Sequence, residues 1–458
     1  MPNISSLYTP FSGMNAQRRV MDLVGHNIAN ASTPGYHRQR AELRAVASQV
    51  AGVFAGSNAR TYGVDVIGVS RSYDQLLENR AVREDAGRSA ASMLSSTLAR
   101  IEGVFPEPSD FGIAGQLDAF WGAWSDLSSQ PGALSARTQL LESTTTLATT
   151  LRRTAGDLTS LRASAIERVA SVAIDVNDLA TQVASMNERI VANPEAALDL
   201  LDQRDQLVGA LARLTGATAR PAPGGQVDVY IGGRAIVSGS VALALASDGT
   251  GTLLWAADNQ AVGAPSGEAA TLAQTITDLV PRYLSALDDV AATLVTQVNA
   301  VHFAGYDQAG TTGHNFFDPA GATAATIGLS VDVAGNPAGI AAGAPVFPGP
   351  VAPGALDGEQ ARAIALLADG TTGADSKYDA LITGLAVETR AASRRASIQE
   401  QIADVTQREA ESVGAVSLDE EMANLTAAQR AFEAAARVLT AVDEMLGILI
   451  ERTGIVGR

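Results

Sequence analysis

The sequence predicts a mainly α fold with a minor β part. In this fold the N- and C-terminal helices pair as a coiled coil beside a domain of long bundled helices, which carries a small β-hairpin insertion. Apolar residues recur at helical spacing over most of the 458 residues, and the C-terminal segment has an apolar residue at every seventh position. Aromatic residues make up only 5% of the chain, which suits long helices packed along small-residue seams.

The first helix is predicted over residues 10–30. Thr9 and Pro10 form a suitable N-cap and first-turn pair. Helical spacing relates the apolar residues that follow, namely Phe11, Met14, Met21, Val24 and Ile28. The helix ends before Thr33, because Pro34 disfavours helical geometry in the residue that precedes it.

An extended segment and four more helices are predicted up to residue 214. The segments are a glycine-rich stretch over 52–63, a strand over 64–69, and helices over 72–102, 136–191 and 196–214. A Pro-containing break at 105–108 precedes a further helix with an aromatic face. We interpret that face as a core seam rather than a ligand site; it comprises Leu117, Phe120, Trp121, Trp124 and Leu127.

The second half of the chain is predicted to mix hairpins, a long loop and helices. Residues 217–265 are expected to form small β-hairpins, because glycine-rich turns separate short strand-like runs. The remaining predicted segments are a helix over 272–301, a Gly/Pro-rich loop over 305–358 with one strand at 326–333, and helices over 359–367 and 378–412.

The last helix is predicted to start at a capping box, in which Ser417 and Glu420 cap each other's backbone amides. An apolar residue recurs at every seventh position, and a second series follows three positions later. The two series are Leu418, Leu425, Phe432, Leu439 and Leu446, and Ala428, Ala435, Val442 and Leu449. This is a coiled-coil pattern, and an intramolecular bundle seam is its commoner alternative.

These patterns divide the chain into five segments. Residues 1–45 and 416–458 are the two halves of a coiled-coil assembly domain, residues 46–216 and 266–415 are the two parts of a helical domain, and residues 217–265 form a small β subdomain. We expect the apolar stripes of the two terminal helices to cover each other and the apolar surface that remains to face neighbouring subunits.

Composition excludes several classes of protein. The net charge of −17 repels phosphate backbones, so nucleic acid is not an expected partner. The absence of cysteine excludes disulfides and thiolate sites, and it suits a chain that crosses membranes unfolded. No basic and apolar leader opens the chain, and no run approaches a membrane span of roughly 18 to 20 apolar residues. Without a non-cleaved export route the chain would be expected in the cytoplasm.

No enzyme signature stands in the sequence, and no catalytic, cofactor or metal site is predicted. There is no Gly-x-Ser-x-Gly elbow, and Lys377 lacks a phosphate-binding loop around it. His302 and His314 are interpreted as loop histidines, since their spacing matches no standard metal site. Asp202 and Asp205 are interpreted as a solvated helix face that is partly paired with an intervening arginine.

The N-terminal motif resembles the signature that bacterial flagellar axial proteins share. Residues 11–17 read Phe-Ser-Gly-Met-Asn-Ala-Gln, and a second stretch follows from residue 26. The residues of that stretch that match the signature are Asn27, Ile28, Ala29, Asn30, Thr33, Pro34, Gly35 and Tyr36. The C-terminal runs over 417–425 and 429–438 narrow the resemblance to the flagellar hook-associated protein 1 family.

Three internal stretches, at 200–207, 227–233 and 298–307, agree with the same family, so the likeness covers nearly the whole chain. Two departures are visible. The family's Gly-Gly-x-Leu-Gly run before the helix at 272 is absent, and its Gly-Asp-Asn run is replaced by Asp-Gly-Glu at 357–359. The family's large outer β-domain is expected to be reduced to the loop at 305–358.

The resemblance implies a structural protein that forms the junction ring between hook and filament. It implies export by the flagellar type III apparatus without a cleaved signal peptide, and a chaperone on the C-terminal helix. The hook protein would lie below the ring and the second hook-associated protein above it, in the extracellular flagellum. The expected assembly interface comprises Phe11, Met14, Met21, Val24, Ile28, Leu418, Met422, Leu425, Phe432, Leu439, Val442, Leu446 and Leu449.

Two alternatives remain open. The first is another axial protein, such as a hook or rod subunit, although the long helices over 136–214 disfavour it because hook proteins are mainly β outside their terminal helices. The second is a secreted flagellum-associated hydrolase or adhesin that uses the β-rich middle. That class requires a cleft with convergent acids, and no such pattern is found in the sequence.

Overall fold

The computed structural model describes residues 5–46, 63–193, 197–345, 354 and 356–453, which form ten α-helices and eight strands. The helices are α1 Ser5–Asn30, α2 Gln75–Val104, α3 Ile113–Ser129, α4 Leu134–Ala192, α5 Ala197–Thr215, α6 Gly267–Gln274, α7 Val280–His302, α8 Glu359–Ala365, α9 Ala374–Gly414 and α10 Leu418–Thr453. The strands are β1 Gln39–Val46, β2 Gly63–Arg71, β3 Thr218–Pro221, β4 Val227–Ile231, β5 Arg234–Ser238, β6 Val241–Ala242, β7 Leu245–Ser247 and β8 Leu253–Trp255. The prediction of a mainly α fold with small β-hairpins is confirmed.

The first helix ends at Asn30 as predicted, but it begins more than one turn earlier, at Ser5. The predicted cap at Thr9 and Pro10 is therefore wrong. Pro10 lies in the second turn, where its missing N–H removes one backbone hydrogen bond, and it is buried. The glycine-rich stretch over 52–62 lies outside the described residues. Its flanks pair as the antiparallel ribbon β1–β2.

The first of two hydrophobic cores surrounds the predicted aromatic seam of α3. Phe120 and Trp124 are fully buried, with ring centroids 6.3 Å apart, and Phe316 packs against Trp124 at 4.9 Å. The first half of α4 joins this core, as do α7 and the first part of α9. This aromatic packing confirms the interpretation of the seam as part of the core.

The second core lies under the hairpins. The four-stranded sheet, in the order β3-β4-β5-β6, and the ribbon β7–β8 place alternate apolar residues against the second half of α4, α5 and α6. Val229, Ile236 and Val176 are fully buried there. The 59-residue helix α4 therefore contributes to both cores.

Two segments of the second half differ from the prediction. The helix predicted over 272–301 is two helices, α6 and α7, joined by a π-helical turn at Thr275–Leu279. The strand predicted over 326–333 does not form, because only an isolated bridge joins Leu329 to Phe317. In this loop the Ser330 hydroxyl donates a hydrogen bond to the backbone carbonyl of Asn315.

Candidate assembly interface

Helices α1 and α10 pack against each other in opposite directions. Gly13 lies so close to Ala435 that a Cβ atom at Gly13 would be 3.9 Å from the Ala435 Cβ atom. Asn27, fourteen residues later, contacts Glu421, fourteen residues earlier. This register places the start of α1 near residue 443, so the last turns of α10 extend beyond α1.

The pairing covers the predicted apolar stripes only in part. Val24 is buried, and most of the other stripe residues are half-buried: Met14, Met21, Ile28, Leu425, Phe432, Leu439, Val442 and Leu446. More than half of the surface of Phe11, Leu418 and Met422 stays exposed, so these three do not fit the expectation that the stripes hide each other. All three lie where the two helices overlap, so they face outward from the pair rather than into its seam. The side chain of Leu449 lies outside the described residues.

Asn27 of the N-terminal motif joins three parts of the chain. Its amide donates to the Gln39 carbonyl and to Glu421 Oε2, both at 3.0 Å, and its oxygen accepts from the Gln39 N–H at 2.9 Å. The Tyr36 hydroxyl donates to the same oxygen at 2.8 Å. Burial and the nearby carboxylate of Asp199 raise the pKa of Tyr36, so this donor keeps its proton. The motif therefore clamps β1 and the start of α10 onto α1.

The rest of the motif shapes the turn after α1. Asn30 donates to the His26 carbonyl at 3.0 Å, and Thr33 donates to the Asn30 side-chain oxygen at 3.2 Å. Gly35 has a φ of 71°, in the left-handed region that favours glycine. Pro34 accepts a hydrogen bond from Gln206 of α5. Ala29, Thr33, Pro34 and Gly35 are all exposed.

His37 fastens this turn to the helical domain. Its ring nitrogens lie 2.8 Å from Asp202 Oδ1 and 3.2 Å from Glu78 Oε1, and its backbone N–H donates to Asp202 Oδ2 at 3.0 Å. Burial lowers the pKa of His37, but the hydrogen bonds to the two carboxylates outweigh this effect and raise the pKa to about 9. At neutral pH the imidazole is therefore protonated and donates from both nitrogens.

Arg71 completes the attachment from the end of β2. Its guanidinium donates to Asp202 Oδ1 at 2.8 Å and to Asp205 Oδ2 at 2.7 Å. The interpretation of Asp202 and Asp205 as a solvated face is therefore wrong for Asp202, which is buried. The intervening Arg204 does reach Asp205 Oδ1 at 3.2 Å, but it also donates to the Gly225 carbonyl at 2.6 Å. Partners far along the chain, rather than solvent, satisfy this pair.

Arg38 ties the start of α10 to the same place. Its guanidinium reaches Glu420 Oε2 at 2.9 Å and Glu421 Oε1 at 2.6 Å. Ser417 accepts from the Glu420 N–H at 3.4 Å, which is the serine half of the predicted capping box. The glutamate half is wrong, because the Glu420 carboxylate turns to Arg38 instead of to the Ser417 amide. An ion pair with a guanidinium outcompetes a cap to a neutral amide.

We name the residues around this attachment the polar cluster; it comprises Asn27, His37, Arg38, Arg71, Asp202 and Glu421. The sequence singled out Asn27 through the motif but missed the role of His37 and Arg71. One signal was available: the stretch at 200–207, which contains Asp202, resembles the family although local helix rules give it no role.

The acidic and histidine side chains of the described residues do not gather into a metal-binding cluster. Over the described residues, no group of three or more His, Cys, Asp or Glu side chains could hold a metal ion. The interpretation of His302 as a loop histidine is wrong, since it is fully buried at the end of α7. One ring nitrogen donates to the His314 carbonyl at 2.8 Å and the other accepts from the Ala341 N–H at 2.9 Å. Burial lowers the pKa of His302 to about 4, so it is neutral.

Comparison with known proteins gives three family matches along the chain. Residues 98–317 match the flagellar hook-associated protein FlgK helical domain. Residues 7–37 match the flagella basal body rod protein family, and residues 414–452 match the flagellar basal body rod FlgEFG protein C-terminal family. The two terminal matches cover α1 with its turn and most of α10. Of the helices described, none is long and apolar enough to span a membrane.

The chain is similar to flagellar hook-associated protein 1 of several bacteria. It is 27% identical to that of Bacillus subtilis, with 99% of both chains covered. It is 28% identical to that of Salmonella typhimurium over 67% of this chain, but spans only 58% of that relative. The flagellar hook junction protein FlgK from Burkholderia pseudomallei shares the fold, with a TM-score of 0.63 and 15% identity, over 72% of this chain and 99% of that one. These matches identify the chain as a structural protein of the flagellar axis at the hook–filament junction, similar over nearly its whole length to flagellar hook-associated protein 1.

Proposed function

We propose that this protein self-assembles into a ring between hook and filament through α1 and α10. The observation that carries the proposal is the apolar surface left on α10 after α1 has packed against it. The side chains concerned are more than half exposed, and they are Leu418, Met422, Val438, Met445 and Ile448. Large apolar side chains that stay exposed together on one helix indicate a surface that another molecule covers.

The energetics favour a closed assembly over a single contact. Full burial of one such side chain stabilises by about 1.5–3 kcal/mol, and roughly half of that remains available here. Five of them supply several kcal/mol, which is comparable with the about 4–15 kcal/mol of translational and rotational freedom lost on association. A ring gives every copy two such contacts. The hook protein below and the second hook-associated protein above are the proposed neighbours.

The polar cluster fixes how the assembly helices project from the rest of the molecule. We infer that residues 1–45 and 416–458 act as one assembly domain, attached to the helical domain at His37 and Asp202. We propose that residues 46–216 and 266–415 form one helical domain, which carries the small β subdomain at 217–265 and the loop at 305–358 as a reduced outer domain. No catalytic role is proposed for any of them.

The route to the flagellum is also a proposal. Its similarity to flagellar hook-associated protein 1 supports a place for the chain in the flagellum, an extracellular appendage. We propose export by the type III apparatus without signal cleavage, with a chaperone covering the exposed apolar face of α10. The chain lacks cysteine, so no disulfide would oppose unfolded passage.

The test replaces exposed apolar residues that do not support the monomer fold. Val438→Ser and Met445→Ser are introduced together into the bacterial gene, and swimming and filament number are measured. We expect the loss of most filaments, with an unchanged circular dichroism spectrum of the purified chain. Val241→Ser is the matched control, because Val241 and Met445 are both 60% exposed and Val241 lies on the hairpins. Normal filaments in the double variant would contradict the proposal.

A further inference from the structure

The first half of α10 borders a groove of about 710 Å³ between α1, β1 and α10. The α10 wall carries Ala423, Ala427 and Ala431, the floor includes Leu23, and Arg40 of β1 stands on the opposite wall. We call this the alanine groove. Small side chains on one wall let another helix approach closely and seat large side chains between them.

The face of α10 that lines this groove continues along the helix in heptad steps. From Ala427 the steps lead to Ala434, Ala441 and Ile448, and from Ala431 they lead to Val438 and Met445. The side chains on this face are thus small where they line the groove and mostly large where α10 extends past the groove. We call Val438, Met445 and Ile448 the C-terminal stripe; each is more than half exposed.

The heptad steps from Ala423 carry charges that change sign along the helix. Positions 430, 437, 444 and 451 fall at intervals of seven and hold two arginines followed by two glutamates, all exposed. Within the described residues none of these four forms an ion pair, and neither does Arg40 at the groove. The groove half of α10 is therefore flanked by unpaired positive charge and the stripe half by unpaired negative charge.

We propose that the C-terminal stripe of one copy docks into the alanine groove of a second copy. This inference rests on the proposed function and specifies the contact by which that function is performed. The stripe supplies large apolar side chains to a wall of alanines, and Glu444 meets Arg430 and Arg40 of the neighbouring copy. The groove and the stripe are different surfaces of one molecule, so each copy can offer its groove to one neighbour and its stripe to another. We propose this head-to-tail arrangement, which repeats around a ring or along a helix.

A disulfide test separates contacts between copies from contacts within one. Ala427 and Met445 are eighteen residues apart on one straight helix, or about 27 Å, whereas a disulfide requires Cα atoms within about 7 Å. Because the chain has no cysteine, Ala427→Cys and Met445→Cys introduce the only thiols. The two variants are produced together in the source bacterium in place of its own copy, and isolated flagella are oxidised and analysed by mass spectrometry.

We expect a mixed disulfide between Cys variants at 427 and 445, and none when Val241→Cys replaces Met445→Cys. Adding Glu444→Arg should reduce the yield about two- to fivefold, the effect of one exposed ion pair, and Arg430→Glu in the other copy should restore it. Flagella that contain both variants but yield no mixed disulfide would overturn the docking arrangement and leave the proposed function intact. Absence of the wild-type chain from isolated flagella would overturn both.

Discussion

Replacing Asn27 by alanine should release the start of α10 from α1 without unfolding the helical domain. Asn27 and Glu421 are each 1% exposed, and the Asn27 side chain makes four hydrogen bonds to three partners. Alanine removes the amide and leaves the backbone N–H and carbonyl of buried Gln39 without their partner.

The magnitude follows from the number of groups left unpaired. Each buried polar group without a partner costs about 1–3 kcal/mol. The two Gln39 groups are the main loss, because Arg38 still pairs with the Glu421 carboxylate. We therefore expect the free energy of opening α10 to fall by about 3–5 kcal/mol in Asn27→Ala. Asn30→Ala, which removes a partly exposed bond to the His26 carbonyl, should cost about 1 kcal/mol or less.

Native-state hydrogen exchange resolves this difference by region. Peptides from the first half of α10 should lose protection by about two to three and a half orders of magnitude in Asn27→Ala, since 1.4 kcal/mol corresponds to a factor of ten. Peptides from α3, in the first core, should exchange as in the wild type. Equal protection of α10 in the Asn27 and Asn30 variants would refute the clamp. A uniform loss over α3 and α10 would refute the separate attachment of the terminal helices.

Two further predictions concern the turn that follows α1. Burial lowers the pKa of His37, but its two carboxylate partners raise it from 6.5 to about 9; the stability it contributes is therefore complete below pH 6.5 and is lost as the pH rises through about 9. Urea unfolding between pH 6 and 10 should show this loss of stability, and His37→Gln should flatten the dependence of stability on pH. Gly35→Ala should lower the melting temperature more than Gly249→Ala. Both glycines have a positive φ, a backbone conformation that costs alanine about 1–2 kcal/mol. At Gly35 the added Cβ atom would also meet the Gln206 side chain, and at Gly249 it would not. Equal shifts would show that the contact with Gln206 is unimportant.

The terminal helices could be predicted because their signals are local. The end of α1 at Asn30 follows from the proline and glycine four and five residues later, and the heptads of α10 follow from its own sequence. Helical periodicity also predicted the aromatic face of α3 and the length of α4. In each case the residues that decide the structure lie within one or two turns of each other.

The polar cluster could not be predicted, because its partners are distant in sequence. Asp202 is 165 residues from His37 and 131 from Arg71. From the sequence alone, Arg204 was the only visible partner, so the carboxylates looked solvated. The capping box failed for the same reason, since Arg38, 382 residues away, takes the Glu420 carboxylate. Local rules describe an isolated helix, and tertiary ion pairs override them.

The single long helix α4 determines how the molecule responds to torsion. With 59 residues it extends about 88 Å, and it supplies buried side chains to both cores. A twisting force that enters at His37 passes through α5 and the hairpin core into α4, and from there to the aromatic core through an unbroken ladder of backbone hydrogen bonds. Because α4 continues without a break from one core to the other, we expect the helical domain to resist twisting between its two cores and to turn together with the terminal helices.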